Sequence, residues 1–320
     1  MNSFGRKFRV SIFGESHGPA IGVVLDGVPS GLALSVIDFI EDIDRRRTGA
    51  FGTSPRRESD EPIILTGLYD GKTTGAPLTI IFKNENVRSG DYSAFSDIPR
   101  PGHADYTASV KWDSYNDPRG GGHFSGRLTL PIVAAGVVAK KMFPNSIHAS
   151  IVELGGLKNP QQWEKRLKEV ASEGDSLGAV VECRATMPEG IGEPFWDGVE
   201  SVVSHAIFSI PGVRGIEFGD GFKAATMLGS EHNDPFGPDG KPSKNGSGGI
   251  NGGIANGAEL LFRVAFKPTS SISKLQKTYD FSKDRMTDFK VGGRHDVCFA
   301  LRTPVIVEAM TAIVLADLVI

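Results

Sequence analysis

The sequence predicts a mixed fold of the α/β (α+β) class. Short runs rich in Val, Ile and Phe, bracketed by glycine, alternate loosely with longer runs whose apolar residues have helical spacing. No short repeat and no linker-like stretch divides the 320 residues. We therefore expect a single domain over residues 1–320.

Each predicted element follows from one of these two periodicities. The helix at Ser35–Arg47 has Val36, Ile37, Ile40 and Ile43 at helical spacing and ends in three arginines, which suit a helix C-terminus. The last helix has Thr303 as its N-cap and Pro304 in its first turn. The remaining helices are predicted at Leu128–Phe143, Pro160–Ser172 and Val199–Ile210. Strands are predicted at Phe8–Phe13, Ile21–Leu25, Ile63–Leu65, Leu78–Phe82, Ile216–Phe218 and Ala258–Phe266.

Three stretches rich in glycine, proline and polar residues are predicted as loops: 48–62, 84–127 and 235–257. The middle one is too long for a simple connection, and such a loop is usually functional or disordered. Its aromatic residues argue against disorder. They are Tyr92, Phe95, Tyr106, Trp112 and Tyr115.

Composition excludes several classes of protein. The formal net charge is −3 and the pI is near 6.2, so no basic field favours nucleic acid. Two cysteines give no disulfide framework, and no apolar run has the length of a membrane span. The N-terminus lacks the apolar core of a signal peptide. We expect a cytoplasmic enzyme that binds neither nucleic acid nor membrane.

The segment Gly14-Glu15-Ser16-His17-Gly18 matches the G-x-S-x-G pattern of a hydrolase nucleophile elbow. That elbow requires a helix after the turn, whereas a strand is predicted here. Taken alone, the segment is better interpreted as a tight turn with a capped serine and a surface histidine.

Three further clusters combine glycine with polar residues. Residues 117–129 place three glycines and Ser125 directly before an apolar helix, which is an arrangement that binds anions. Residues 245–257 are glycine-rich and precede a strand and then Lys267, Pro268, Thr269, Ser270 and Ser271, where a phosphate could bind. Residues 292–296 precede the last helix. Forty glycines, about 12% of the chain against a typical ~7%, support a role for close backbone approach to a ligand.

Arginines lie in or beside these clusters and indicate a polyanionic small molecule, because guanidinium groups capture carboxylate and phosphate in bidentate fashion. They are Arg45, Arg46, Arg47, Arg56, Arg57, Arg100, Arg119, Arg127, Arg294 and Arg302. Two alternatives stay open on these residues. One is a metal-dependent hydrolase of a phosphorylated small molecule that uses His17, His103 and Asp105. The other is a polyanion-binding protein without catalysis.

Eight motifs in fixed order resemble the chorismate synthase family, from about Phe8 to the C-terminus. They are FGESHG, DRRR, RPGHAD, GGxxSxR-x-T, GDGF, GGIxGGI, KPTSSI and GRHDxC. The resemblance implies a β-α-β sandwich, a homotetramer, and elimination of phosphate from 5-enolpyruvylshikimate 3-phosphate with reduced FMN. It leaves open whether NADPH reduces the flavin, and it implies no metal site.

The resemblance also implies site residues. His17 matches the histidine that protonates the departing phosphate, and His103 the histidine that protonates the reduced flavin. Asp296, Ser16 and Ser125 match groups that pass on the abstracted proton. Matches to flavin contacts are His123, Phe124, Ser125, Gly212, Gly252, Lys267, Pro268, Thr269, Ser270, Ser271 and Arg294, with Arg46 beside a nicotinamide site. Matches to substrate-binding groups are Arg46, Arg47, Arg127 and Arg294.

The sequence departs from the family pattern in three places. The usual flavin-loop pattern R-S-S-A-R is here His123-Phe124-Ser125-Gly126-Arg127, so that His123, Phe124 and Gly126 stand where the pattern has Arg, Ser and Ala. The loop after Arg47 is one residue shorter than in many relatives, and a second arginine of the nicotinamide site has no clear match. The chain is also some tens of residues shorter than most members, chiefly around residues 145–180, where we expect reduced helices.

Overall fold

The computed structural model describes residues 2–49, 51–54, 58–85, 95–144, 146–293 and 295–320. Its middle layer is a pair of helices that pack against each other, α3 (Thr129–Met142) and α7 (Pro304–Val319). Residues 129–139 and 305–317 of these helices are buried. Helices that are apolar on all sides need protein on all sides, so both are enclosed between sheets.

The first sheet covers one side of this layer. All its strand pairs are antiparallel, in the order β1-β2-β3-β7-β4. The strands are β1 (Ser3–Phe4), β2 (Arg9–Gly14), β3 (Ala20–Asp26), β4 (Ile63–Thr66) and β7 (Leu78–Lys83). Leu78, Ile80 and Phe82 alternate along β7 and are fully buried, which fixes the inner face of the sheet against α3.

The second sheet covers the other side, again with antiparallel pairs, in the order β10-β13-β9-β8. The strands are β8 (Ile147–Leu154), β9 (Ala179–Ala185), β10 (Val213–Phe218) and β13 (Leu260–Phe266). Helix α7 packs on β8 and β9. The layers therefore run sheet, helices, sheet, which confirms the predicted mixed class and the β-α-β sandwich.

Smaller elements surround the sandwich. The helices are α1 (Ile40–Arg46), α2 (Asp105–Lys111), α4 (Trp163–Ser172), α5 (Val199–Ile207) and α6 (Gly229–His232). Three short hairpins pair β5 (Leu68–Tyr69) with β6 (Lys72–Thr73), β11 (Ile250–Asn251) with β12 (Ile254–Ala255), and β14 (Gln276–Asp280) with β15 (Arg285–Phe289). A small separate core of Phe95, Ile98, Phe289 and Val291 attaches the last hairpin to the long loop.

The predicted helices and strands are found within a few residues of their expected bounds, but the predicted apolar face of the first helix was wrong. Val36, Ile37 and Ile40 are 40%, 77% and 48% exposed, while Phe39 and Ile43 are buried. Residues Val36–Phe39 form a 3₁₀ turn, whose three residues per turn rotate the buried side away from the α-helical pattern. Strands β8 and β9 and the hairpin β14–β15 were not predicted. Within the described residues, no helix is long and apolar enough to cross a membrane.

Candidate active site

A cavity of about 1370 Å³ borders the first turns of α3 and α7. Its walls come from β1 and β2, the end of α1, the glycine-rich turn before α3, the end of α5, and residues 267–271. Pockets for one small ligand are commonly about 300–1,000 Å³, so this cavity has room for more than one. The N-termini of two long helices also give it a positive electrostatic bias.

Charged side chains on the cavity wall are mostly cationic. Among the described residues, the wall has seven Arg and Lys side chains and three Asp and Glu side chains. The cations are Arg46, Arg47, Arg100, Arg127, Arg214, Arg302 and Lys267, and the anions are Glu58, Asp60 and Asp296. Since the whole chain carries a net charge of −3, the positive charge is a local property of the cavity.

Arg46 is the most buried of the charged wall residues, with 3% exposure. Its Nε donates to Thr129 Oγ1 at 3.0 Å and its Nη2 to the Gly126 carbonyl at 2.9 Å. Its Nη1 lies 3.6 Å from Oδ2 of the neighbouring carboxylate, Asp60. Burial, followed by repulsion from Arg302, lowers the pKa of Arg46 to about 9. The guanidinium is thus still charged at neutral pH and weakly compensated, which favours an anionic ligand beside it.

Arg127 is held by protein groups on every side. It pairs with Asp60, and it donates to Asn84 Oδ1 at 2.9 Å and to the Lys83 carbonyl at 3.0 Å. Its backbone N–H donates to Ser125 Oγ at 3.2 Å, which caps the turn that leads into α3. The structure therefore fixes both Arg127 and Ser125 tightly at the cavity wall.

The turn at residues 119–124 separates two histidines. Gly120, Gly121 and Gly122 all have left-handed φ angles, of 62°, 88° and 51°. A Cβ at Gly120 would lie 2.2 Å from His17 Cε1 and 2.7 Å from Ser16 Oγ. A Cβ at Gly121 would lie 3.3 Å from His103 Nε2. Glycine is therefore required at both positions, because the histidines pack directly against the main chain.

Ser16 and His17 are joined to each other behind this turn. Ser16 Oγ lies 3.0 Å from His17 Nδ1, and the residues are 0% and 6% exposed. The turn after β2 is also tied to the glycine turn by the Ser16 N–H, which donates to the Gly122 carbonyl at 3.1 Å. His123 reaches the same region through Nδ1, 2.7 Å from the Gly14 carbonyl.

His103 lies on the cavity wall next to a buried ion pair. Its Nδ1 is 2.6 Å from Asp105 Oδ1. Arg100 donates to the same carboxylate through Nε at 2.7 Å and through Nη2 at 2.8 Å. Burial opposes ionisation of Asp105, but the hydrogen bonds from Arg100 and His103 outweigh it and hold the pKa of this carboxyl well below its usual range.

Asp296 lies across the cavity wall and is held by two donors. The Ser54 N–H donates to Oδ1 at 2.7 Å, and Arg302 Nη2 donates to Oδ2 at 2.8 Å. The Nε of Arg302 is buried and has no hydrogen-bond partner within the described residues. A buried unpaired donor on a cavity wall is unfavourable unless a ligand accepts from it.

Residues 267–271 form a hydroxyl-rich edge of the cavity. Lys267 Nζ and Ser270 Oγ both donate to the Gly102 carbonyl, and Ser271 Oγ accepts from Arg100 Nη1 at 3.1 Å. The Lys267 N–H donates to the Gly212 carbonyl at 2.9 Å, which brings Gly212 to the same edge. Thr269 Oγ1 is buried without a hydrogen-bond partner among the described residues, so it too is available to a ligand.

Comparisons with known proteins decide the family. The family model described as chorismate synthase matches residues 8–320. A protein of Chitinophaga pinensis named chorismate synthase is 52% identical over an alignment of 321 positions, which covers 99% of this chain and 96% of that protein. Another of that name, from Korarchaeum cryptofilum, is 45% identical over 98% of this chain and 96% of its own length.

The chain belongs to the chorismate synthase family. A solved crystal structure of a chorismate synthase superimposes with a TM-score of 0.75 at 27% identity, and covers 98% of this chain and 92% of its own. The resemblance inferred from eight ordered motifs is confirmed, and the protein is a lyase. The alternatives of a metal-dependent hydrolase and a non-catalytic binding protein lack support.

In this member of the chorismate synthase family, the residues that the hydrolase alternative requires as metal ligands make other contacts. Asp105 is engaged by Arg100 and His103, whereas His17 lies on the other side of the glycine turn. Within the described residues, no group of three or more His, Cys, Asp or Glu side chains could hold a metal ion.

Most site residues predicted from the chorismate synthase resemblance meet at the cavity. The wall includes His103, His123, Phe124, Ser125, Gly212, Lys267, Thr269, Ser270, Ser271, Asp296, Arg46, Arg47 and Arg127. Ser16 and His17 lie one layer behind, in contact with the wall residue Gly120. Pro268 and Gly252 are not wall residues, and Gly252 lies in the exposed turn between β11 and β12. Arg294 lies outside the described residues.

Several wall residues were not predicted as site residues. Arg100 and Arg302 were noted only as nearby cations, while Asp60, Arg214 and His205 were not noted. Arg214 is an exposed wall residue, and its side chain has no hydrogen bond or ion pair with any described residue. Its signal in the sequence was weak, because a single cation at the start of a strand is ordinarily a surface residue.

Proposed function

We propose that this chain binds reduced FMN and 5-enolpyruvylshikimate 3-phosphate together in the cavity and converts the substrate to chorismate by 1,4-anti elimination of phosphate. One observation carries the proposal. A cavity large enough for two ligands collects seven cationic side chains in a chain of net negative charge. Both ligands carry phosphate, and the substrate adds carboxylates, so the charge of the cavity fits the pair.

The flavin fits the edge formed by residues 267–271. The buried and unpaired Thr269 Oγ1 and the Lys267 ammonium are donors of the kind that hold a phosphate or the polar rim of an isoalloxazine ring, and Ser270, whose hydroxyl donates to Gly102, lies beside them. Gly212, His123, Phe124, Ser125, Ser271 and Arg294 complete the proposed contacts. When bound, reduced FMN supplies electron density to the substrate ring and a site for the ring proton.

The substrate is proposed to bind at the arginine side. Arg46 is buried and charged, and its carboxylate neighbour is 3.6 Å away, so an anion placed beside it relieves an unfavourable charge. Arg47 is partly exposed at the same rim. Arg127 is assigned to the substrate as well, although a substrate oxygen would have to replace one of its present partners. Arg294 is assigned to both ligands.

The elimination breaks a ring C–H bond and the C–O bond to phosphate. The electron pair of the C–H bond moves through the ring double bond, and the phosphate leaves with the C–O pair. We assign to His17 the proton that neutralises this phosphate, and to His103 the protonation state of the flavin. Asp296, Ser16 and Ser125 are assigned to pass the abstracted proton on. The contact of Gly120 with Ser16 and His17 supports this, since it brings both groups within one residue of the cavity.

Other parts of the proposal concern the assembly. We propose a single-domain, cytoplasmic homotetramer, in which NADPH is a possible reductant near Arg46. One hydrophobic core that includes both sheets and the helices between them supports the single domain. Gly252 lies off the cavity wall of its own chain, and we assign its flavin contact to another copy of the chain. Exposed aromatic residues, among them Phe195 and Trp196 at 82% and 88%, are compatible with such an assembly.

The test is release of inorganic phosphate under anaerobic conditions. Purified protein with chemically reduced FMN and the enolpyruvyl substrate is expected to release phosphate, whereas oxidised FMN is the negative control. His17→Ala and His103→Ala are each expected to lose activity roughly 100-fold or more while the proteins fold normally. Absence of phosphate release by the wild-type protein would refute the proposal. Near-native rates in both variants would refute the residue roles alone.

A further inference from the structure

We propose that Asp105 is a positioning residue that fixes the tautomer of His103, with the hydrogen on Nδ1 and with Nε2 left for the reaction. The inference deepens the proposed function and rests on it, since it assigns to His103 a role in that reaction. The juxtaposition that carries it is the set of short contacts between His103, Asp105 and Arg100.

The hydrogen-bond geometry decides the tautomer. His103 Nδ1 lies 2.6 Å from Asp105 Oδ1 and 3.1 Å from Arg100 Nη2. An ionised carboxylate has no hydrogen to donate, so a bare Nδ1 would set two lone pairs against each other at 2.6 Å. Nδ1 therefore carries the hydrogen and donates it to Asp105. The contact with Arg100 is then secondary, because Arg100 Nη2 already donates to Asp105 Oδ1 at 2.8 Å.

The carboxylate itself is fixed from the other side. Its Oδ2 accepts from Arg100 Nε at 2.7 Å and from the Arg100 backbone N–H at 3.0 Å. The Asp105 side chain is 9% exposed and the Arg100 side chain 4% exposed. Arg100 is in turn held by Ser271 Oγ and by the ring of Phe95, whose centroid lies 4.4 Å from the guanidinium carbon. The Asp105 carboxylate thus cannot rotate away from His103 without breaking a buried ion pair.

The surroundings leave Nε2 as the working nitrogen. Within the described part of the chain, Asp105 and Arg100 are the charged side chains that hydrogen-bond His103, and both do so at Nδ1. The Nε2 edge packs against the glycine turn at Gly121, where a Cβ would come within 3.3 Å. Lys267 and Ser270 donate to the neighbouring Gly102 carbonyl. A carboxylate that orients an imidazole in this way is a general device in enzymes.

Asp105→Asn is the sharpest test, because an amide has only one acceptor oxygen. The Oδ2 position faces two Arg100 donors, so the amide oxygen should occupy it and turn the NH₂ group toward His103. Nδ1 must then accept, and the hydrogen moves to Nε2. Nitrogen-15 spectra of ¹⁵N-histidine-labelled full-length protein distinguish protonated from bare ring nitrogens, and His103→Asn assigns the signals.

The expected result is a wild-type His103 with Nδ1–H and an Asp105→Asn variant with Nε2–H. With reduced FMN, kcat should fall roughly 100-fold while KM for the enolpyruvyl substrate is unchanged. Asp105→Glu keeps a carboxylate and should keep the tautomer and recover part of kcat. His232, whose Nδ1 lies 3.2 Å from Asp220 and which is not a wall residue, is the control signal and should not change.

Three results would overturn the inference: a wild-type His103 with a bare Nδ1, an unchanged tautomer in Asp105→Asn, or a changed tautomer with native kcat. The first does not depend on Asp105→Asn, so it decides the matter even if that variant fails to fold. The tautomer is also read without flavin or turnover, so failure of the proposed reaction and failure of this inference give different results.

Discussion

Gly120→Ala should impair catalysis far more than folding. The added Cβ would lie 2.2 Å from His17 Cε1 and 2.3 Å from Nδ1. Ordinary contact begins at about 3.4 Å, so the imidazole must retreat by roughly 1.2 Å. A displacement of about 1 Å in a catalytic group costs on the order of 100-fold in rate. The left-handed φ of 62° adds a strain of about 1 kcal/mol to the folded state.

Gly240→Ala is the matched control for this experiment. Gly240 also has a left-handed φ, of 75°, but its Cβ would meet nothing within 4 Å and it is not a wall residue. Both variants should lose about 1 kcal/mol in urea unfolding from the left-handed φ, and Gly120→Ala should lose more because the buried imidazole must move. Only Gly120→Ala should lose kcat in the anaerobic phosphate-release assay. Equal kcat values in the two variants would show that the position of His17 relative to this turn does not matter.

Two further predictions concern buried groups away from the cavity. Glu308 is 1% exposed and accepts from Arg45 Nη1 and Nη2 at 2.7 Å each and from the Ala149 N–H at 2.9 Å. Glu308→Gln should lower the free energy of unfolding by about 2 kcal/mol with native kcat, and an unchanged urea midpoint would contradict this. Burial raises the pKa of Cys183 to about 12 and that of Cys298 to about 11, from a usual 9.0. Both thiols should therefore resist thiol reagents in the folded protein at pH 8 and react after unfolding. Rapid labelling of the native protein would contradict this. Because the folded-state pKa values are raised, the contribution of the neutral thiols to the free energy of unfolding is complete below pH 9 and should be lost between pH 9 and 12.

The elements that the sequence predicted well are those whose signal is local. Thr303 and Pro304 mark the start of α7, and glycine brackets β2 and β3, so these bounds need no tertiary information. Strand β9 was missed although Ala179, Val181, Cys183 and Ala185 alternate and are all buried. Small and sulfur-bearing residues mask that alternation, because their apolar character is modest compared with Val or Ile.

Most of the site was predicted through motifs. The wall residues that the motifs did not predict depend on contacts that form only in the folded chain. Arg302, which lies directly before α7, is brought close to Arg46 at the end of α1 by packing of α1 against α7, which no local pattern encodes. The pattern His-x-Asp at His103 and Asp105 is compatible with a pair of metal ligands, which is the basis of the hydrolase alternative. The partner of Asp105, Arg100, lies only five residues away, but a bidentate pair at that spacing is visible only once the chain turns back at Gly102.

The clustered cations of the cavity couple ligand binding to stability. Arg46 is repelled by Arg302 and Arg127, and Arg302 Nε has no acceptor among the described residues. Such an arrangement costs free energy in the protein alone, since buried like charges and an unpaired donor are both unfavourable. A phosphate or carboxylate group at this place removes both costs at once. The same groups that make the protein less stable without a ligand therefore strengthen the binding of an anionic one, and the binding free energy reappears as stability of the complex.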